Sequence, residues 1–389
     1  MSAGPRATTM GIVTTSPYQV ALFLQSHLSR LPSAVRPVIF TNAKDEYRDL
    51  ALGLEIRHLP IGRAPYVTSA DVRAGLQLRR AFLETQVQSV VTMSPKGGFV
   101  GQLAARAAGV DRRLHIFTGQ VWEGLAPGPK REAVLAADRI IGHTANRLAA
   151  DSLSQADNLQ RWQIPSPGQA VIVPHPPGSI RGVDLRIFRP RPDSRGAKRR
   201  ALGLNDDAVA FVQVGRLAVA KGVSDLVEAF RHVRTAWRCG AVTPEPRLFL
   251  VGQDEDDLAK ALDAEDGVSH IPFTTTPHEI LAAMDVLVLA SHREGFGSTI
   301  IEGAAVGLPA IGTDIVGIRD AIVPGDTGWI VPRRAPDALR AVLMATLRNP
   351  ADVATRGRSA LKRAQDTFSA EVVSCAWADH LLANHIGEL

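Results

Sequence analysis

The stretch that decides the reading is Val286-Leu-Val-Leu-Ala-Ser-His-Arg-Glu294-Gly-Phe-Gly-Ser-Thr-Ile-Ile-Glu302-Gly-Ala-Ala-Val-Gly-Leu-Pro309. Its first four residues form a buried apolar strand, a loop holding Glu294, Gly295 and Gly297 follows, and a helix begins near Ser298. In open α/β sheets ligands bind beyond the carboxyl ends of the strands, so this loop lies where a ligand would sit. The two glycines let backbone approach closely, and the new helix offers free N–H groups to an anion. Glu302 stands about one turn into that helix, on the side that Ser298 also faces. The two carboxylates can therefore address different parts of one elongated ligand. Neither suits phosphate, but both accept hydrogen bonds from sugar hydroxyls. A lone glutamate here would read as an acid flanking a helix N-terminus. The spacing of Glu294 and Glu302 around Gly-Phe-Gly, with Gly-Leu-Pro-Ala-Ile leading the next strand, favours the ligand.

Outward from this segment, β-rich runs alternate with helical stretches, the pattern of parallel sheets built from βαβ units. The second half carries Val209–Val214, Leu248–Val251, Val286–Leu289, Pro309–Gly312 and Trp329–Val331. The first half carries Met10–Val13, Val35–Phe40, Ser89–Met93, Leu114–Phe117, Arg139–Gly142 and Ala170–Val173, separated by helices such as Ala70–Glu84 and Gly98–Ala108. Arg186 to Gly203 holds Pro190, Pro192, Gly196 and the basic run Lys198-Arg-Arg200, which reads as an exposed hinge, with an anionic lipid or phosphate contact as the alternative. The expected organisation is a first domain over 1–190, a linker over 191–203 and a second domain over 204–368. A last helix over about 369–389 carries an apolar stripe of Trp377, Leu381 and Leu382 and packs back on the first domain.

The 389 residues, 45 % of them hydrophobic, are enough for two domains with their own cores. Lys plus Arg number 44 against 39 Asp plus Glu, a formal surplus of five that is too thin to indicate nucleic acid. Two cysteines, Cys239 and Cys375, make neither a disulfide framework nor a zinc site, which fits a cytoplasmic protein. The uncharged stretch Ala7 to Ser29 is long enough for a membrane span, but Thr14-Thr-Ser-Pro-Tyr-Gln19 breaks it into a strand, a turn and a helix. Any membrane contact is therefore expected to be peripheral, and Arg73, Arg79, Arg80, Arg106, Arg112, Arg113 and Arg131 could supply a basic face for it. Asp254 and Asp256 form a D-x-D, a pattern that can bind metal. Their place after a strand, opening a helix through Leu258 and Leu262, makes them first-turn acids instead. The histidines His27, His58, His115, His143, His175, His270, His278 and His292 show no metal-ligand spacing. No metal and no cofactor is expected.

The E-x7-E pair Glu294 and Glu302 resembles the signature of the retaining glycosyltransferases of family 4, which have the GT-B fold of two Rossmann-like doubly wound domains facing each other across a cleft. Val214-Gly-Arg-Leu-Ala-Val-Ala-Lys221-Gly is similar to that family's G-R-L…K-G motif, and Gly312-Thr-Asp-Ile-Val-Gly-Ile-Arg-Asp320 and Gly325-Asp-Thr-Gly-Trp-Ile-Val-Pro332 to its following loops. In the first half, Ser94-Pro-Lys-Gly-Gly98, His115-Ile-Phe-Thr-Gly-Gln-Val-Trp122 and Gly178-Ser-Ile-Arg-Gly-Val-Asp184 resemble the subgroup that builds capsule, O-antigen and exopolysaccharide units on a polyprenyl lipid carrier.

The resemblance implies a nucleotide-sugar donor, a UDP-sugar before a GDP-sugar, bound by Gly215, Arg216, Lys221, Gly295, Phe296, Gly297, Ser298, Thr299 and Glu302. Arg216 and Lys221 would meet the diphosphate, Glu302 the ribose, and Glu294 with the amides of Phe296, Gly297 and Ser298 the donor sugar. Glu294, Arg216 and Lys221 are then the catalytic candidates in a metal-independent, front-side transfer, in which the donor phosphate takes the acceptor proton. Two cations after a strand end also suit a diphosphate on chemical grounds alone, since they stabilise charge growing on the leaving group. The acceptor, a polyprenyl-diphosphate-linked or other glycan, would approach from the first domain at the inner face of a membrane. There the chain departs from the family. Thr14-Thr-Ser-Pro17 replaces a glycine pair, and Thr118-Gly119 replaces His-Gly. Lys96, Thr118, Gly119, Gln120 and Trp122 are the acceptor-side candidates, with a solvated lysine and a Trp buried against a helix as the alternatives. Two other functions share this architecture: a sugar-nucleotide 2-epimerase, and a nucleotide-sugar-binding subunit without catalysis.

Overall fold

The computed structural model describes residues 7–42, 53–62, 68–258, 262 and 264–387. The chain divides into two compact units, residues 1–181 with 371–389, and residues 182–370.

The first unit is a parallel sheet of β1 (Thr8–Val13), β2 (Val35–Thr41), β3 (Glu55–His58), β4 (Val87–Met93), β5 (Arg112–Phe117), β6 (Arg147–Ala150) and β7 (Val171–Ile172), in the order β3-β2-β1-β4-β5-β6-β7. The central strands are apolar on both sides because both faces are covered. Ile39, Met10 and Val91 point to a core shared with Val20, Leu24, Val373, Trp377 and Leu381. Val38, Phe40 and Val90 point the other way, to Ala74, Leu78, Phe82 and Val100. Helices α1 (Ser69–Glu84), α2 (Pro95–Ala107) and α3 (Pro129–Thr144) supply that second layer, and α4 (Leu153–Arg161) follows β6. The helical run over 17–28, π-helical over Val20–Leu24, and the C-terminal helix Ala370–Ile386 supply the first. Trp377 anchors the latter, its indole N–H donating to Ser179 O at 3.1 Å.

The second unit begins with α5 (Pro192–Ala201). Its sheet comprises β8 (Val209–Val214), β9 (Pro246–Val251), β10 (Val268–Ile271), β11 (Val286–Leu289), β12 (Ala310–Thr313) and β13 (Gly328–Val331), in the order β10-β9-β8-β11-β12-β13. Helix α6 (Val223–Arg238) follows β8, α7 (Ser298–Ala305) follows β11, and α8 (Pro336–Arg348) and α9 (Pro350–Thr367) follow β13. The strand order reverses between β8 and β11, so the loops leaving these two strands open the crevice of a doubly wound sheet. In the first unit the corresponding reversal lies between β1 and β4.

Three readings are corrected. Arg139–Gly142 is the end of α3, since Leu135, Asp138, Ile141 and Gly142 bury one helical face, and the strand is Arg147–Ala150. The expected linker 191–203 is mostly α5. Arg195 and Arg199 clamp Asp285 at 2.6 and 3.0 Å, and Arg195 also donates to Ala282 O and Met284 O. The basic run thus serves the second unit's own packing, and the unit boundary falls at 181/182. The acidic run opens no helix at Asp254–Asp257. Asp256 accepts from Val219 N at 2.7 Å and Asp254 from Leu258 N at 2.9 Å. Leu262 N does bond to Leu258 O, but residues 259–261 and 263 of the expected helix lie outside the described residues. No described helix is long and apolar enough to cross a membrane.

Candidate active site

The loops leaving β8 and β11 are fastened to each other. Gly222 adopts the left-handed conformation (φ +66°), and a β-carbon there would stand 1.9 Å from Ala290 O, so the backbones touch. His292 N donates to Ala220 O at 2.9 Å, and the His292 imidazole Nε2 lies 3.0 Å from Asp225 Oδ2 in the first turn of α6. Gln213 Nε2 donates to Lys221 O at 3.1 Å. The result is a direct ion pair, Lys221 Nζ to Glu294 Oε1 at 2.6 Å, with side chains only 20 % and 12 % exposed.

Glu294 is held from a second side. Ser291, fully buried, donates from Oγ to the same Oε1 at 2.7 Å, and the buried Thr313 hydroxyl on β12 donates to Ser291 O. Two donors on Oε1 leave Oε2 to face elsewhere. Lys221 carries three N–H donors, so bonding to Glu294 leaves capacity for an anion. Arg216 follows Gly215 (φ +148°) at the end of β8; it is half exposed and pairs with Glu255. The guanidinium likewise has donors to spare.

Gly297, left-handed at φ +84°, caps α7, whose first turn presents Ser298 and Thr299. Gly317 braces this turn, since a β-carbon on it would lie 2.4 Å from Gly295 O. The Phe296 side chain is core, its ring 5.4 Å from that of Phe368, so only its backbone is available to a ligand. Glu302 is 7 % exposed. The expected donor residues are therefore gathered at one sheet edge. Among the described residues, no group of three or more His, Cys, Asp and Glu side chains is arranged to hold a metal ion.

The acceptor-side candidates separate. Thr118 and Gly119 (φ +112°) are half-buried at the end of β5. Lys96 is not a solvated lysine: its Nζ lies 3.1 Å from Asp71 Oδ2, both groups nearly shut off from solvent. Asp71 also caps α1 through Thr68, and these contacts hold its carboxyl below the usual range against the opposing effect of burial. Trp122 is core, 1 % exposed, donating from Nε1 to Asp138 Oδ2 at 2.9 Å and packing on Trp162 at 5.0 Å. Burial pushes the Asp138 carboxyl up to about 7 despite that bond. Gln120 is fully buried, with Oε1 accepting from Gln155 at 3.4 Å and Nε2 without a partner among the described residues.

Two families match the chain, glycosyl transferase 4-like domain over residues 17–175 and glycosyl transferases group 1 over 194–363. A D-inositol 3-phosphate glycosyltransferase of Streptomyces avermitilis is 30 % identical over 379 residues, covering 89 % of this chain and 76 % of that one. The chain belongs to the family 4 glycosyltransferases. The capsular polysaccharide biosynthesis glycosyltransferase CapM of Staphylococcus aureus is 24 % identical over 82 % of this transferase and 83 % of its own length. The Anabaena protein Alr3699/HepE, solved with UDP and glucose, superposes with a TM-score of 0.75 over 97 % of this chain and 100 % of its own, at 16 % identity. The fold is thus GT-B, and the activity is glycosyl transfer.

Sequence reasoning missed the support around Glu294. Ser291, Thr313 and the His292–Asp225 pair are ordinary residue types whose positions gain meaning only from the β8–β11–β12 adjacency. The signal that could have found Ser291 is its place two residues beyond the strand end, on the ligand edge, three before the glutamate.

Proposed function

We propose that this transferase is a retaining, metal-independent enzyme that moves a sugar from a nucleotide diphosphate donor to a lipid-linked or other glycan acceptor in cell-surface polysaccharide biosynthesis, at the cytoplasmic face of a membrane. The observation that carries the donor half is the Lys221–Glu294 pair at the point where the strand order reverses. A cation for the diphosphate and a carboxylate for the sugar stand side by side, as the two halves of a nucleotide sugar require. Lys221 and Arg216 stabilise the charge that grows on the diphosphate as the glycosidic bond breaks, the service a divalent metal performs elsewhere. Glu294, with the amides at the start of α7, fixes the sugar, and Glu302 takes the ribose hydroxyls. Positioning and charge stabilisation are then the protein's main contributions.

The HepE complex supports a UDP-sugar as first choice, and the CapM relative supports a glycan acceptor. The deciding experiment is a thermal-shift panel of UDP-, GDP- and ADP-sugars with and without chelator. A ligand at about a hundred times its Kd stabilises by about 2.7 kcal/mol. A rise with UDP-sugars that survives chelation is expected. No response to any nucleotide sugar, or an epimerised sugar nucleotide formed without acceptor, would overturn the proposal.

A further inference from the structure

Helix α1 is apolar on two sides. Ala74, Leu78 and Phe82 bury one of them in the first unit's core. On the other side Val72 is 60 % exposed, Leu76 66 % and Leu83 50 %. At 3.6 residues per turn these three lie within about 40° of one another around the helix axis. Arg79 flanks this stripe on one side, Arg80 and Arg73 on the other. Helix α2, packed alongside, adds Leu103, 40 % exposed, and the exposed Arg106. The acids on these two helices are Asp71, buried against Lys96, and Glu84, paired with Arg80; α2 itself carries none.

The structure also sorts the arginines of this unit. Arg112 donates to His385 O, Arg113 to Thr144 O, and Arg131 stacks 4.8 Å over Trp162. These are engaged in holding the unit together. Arg73, Arg79, Arg80 and Arg106 instead border an exposed aliphatic stripe; Arg79 spends its Nε on Ala107 O at 2.9 Å and Arg80 pairs with Glu84, and each keeps further guanidinium N–H donors facing out.

We propose that the outer face of α1 and α2 docks on an anionic lipid bilayer, with Val72, Leu76, Leu83 and Leu103 entering the headgroup region and the four arginines reaching lipid phosphates. A solvated helix needs no second aliphatic stripe, and an interfacial one does. Arginine side chains bordering the stripe can lay their stems along the acyl boundary while the guanidinium stays with the headgroups. A second copy of the chain fits less well, because a two-fold contact through this face would set arginines against arginines. The inference rests on the lipid-linked acceptor reading only for its purpose, and the binding itself needs neither donor nor acceptor.

The experiment is co-sedimentation of the full chain with phosphatidylcholine vesicles, with or without phosphatidylglycerol. Each arginine near an anionic surface is worth about fivefold in partition. The chain should bind the phosphatidylglycerol vesicles at least about tenfold better, and high salt should release it. Arg73→Glu with Arg106→Glu should weaken binding at least about 25-fold. Leu76→Ser with Leu83→Ser should weaken it as well, because binding scales with the apolar area buried. Equal binding to both vesicles, binding unchanged in both variants, or concentration-dependent self-association that the variants abolish would overturn the proposal. Sugar transfer to a soluble acceptor, run on the same preparations, reports on the proposed function separately. A chain that transfers but ignores vesicles refutes only the docking surface.

Discussion

Ser291→Ala removes one hydroxyl from a fully buried position and nothing else. That hydroxyl donates to Glu294 Oε1 at 2.7 Å, while Lys221 holds the same oxygen at 2.6 Å. A hydrogen bond to a charged group is worth about 1.5–3 kcal/mol. The lower end applies here because Lys221 keeps the carboxylate from being stranded. About 1.5 kcal/mol of lost transition-state stabilisation corresponds to roughly a tenfold fall in kcat/KM. With Glu294 on the donor sugar and Lys221 and Arg216 on the diphosphate, as proposed, the loss should appear chiefly in kcat, with KM for the nucleotide sugar within about twofold. The assay is steady-state transfer by the purified variant, with Tm recorded in parallel. Ser291→Ala in a Glu294→Ala background should cost almost nothing further, because the hydroxyl acts only through that carboxylate. Wild-type kcat in Ser291→Ala, or an equal additional loss in the Glu294→Ala background, would refute the positioning role.

Gly222→Ala should destabilise the second unit by more than about 1 kcal/mol, from the left-handed backbone alone, and abolish donor-induced stabilisation by prising the β8 and β11 loops apart; denaturant midpoints with and without donor read both effects. Trp122→Phe should cost about 1–3 kcal/mol by leaving Asp138 buried and unpaired, yet leave acceptor KM unchanged; a large rise in that KM would put Trp122 back at the acceptor. Acid should weaken the first unit before carboxylate pairing fails. Burial lowers His27 and His380 to about 4 and His115 to about 3, and also lowers His385, so between about pH 6.5 and 4 the unfolded chain binds at least three protons that the folded one refuses. Asp138, raised to about 7, binds one more in the folded state and offsets one of these. A net of at least two protons gives a loss of at least about 2.7 kcal/mol per pH unit as pH falls through that window. Equal stability at pH 7 and pH 5 by urea denaturation would contradict this.

The gathering of the candidate donor residues at one sheet edge was legible because they stand in nearly consecutive positions. Glu294, Gly295, Gly297 and Glu302 sit on one strand–loop–helix segment, and Arg216 and Lys221 sit on the single short loop that leaves β8. Two of the four edge strands, β3 and β10, were not legible. Glu55-Ile-Arg-His58 and Val268-Ser-His-Ile271 have too few apolar residues to stand out, being covered on fewer sides than the central strands. The run at Arg139–Gly142 misled because Ile140 and Ile141 suit a strand as well as a helix, and only the burial of Asp138 and Leu135, about one and two turns before Ile141, decides between them. The basic run at Lys198–Arg200 looked solvated because its partner, Asp285, stands far along the chain. The partners of Lys96 and Trp122 were not legible for the same reason: Asp71 and Asp138 hold them, and no local spacing announces either contact.

The central claim is that Glu294 holds the donor sugar while Lys221 and Arg216 hold the diphosphate. Transfer by the purified Glu294→Gln variant tests it most directly, because the amide keeps the shape and removes the charge. Turnover should fall roughly a hundredfold or more, with the thermal shift produced by the bare nucleoside diphosphate retained and the fold intact. Turnover at the wild-type rate in a folded Glu294→Gln protein would contradict it.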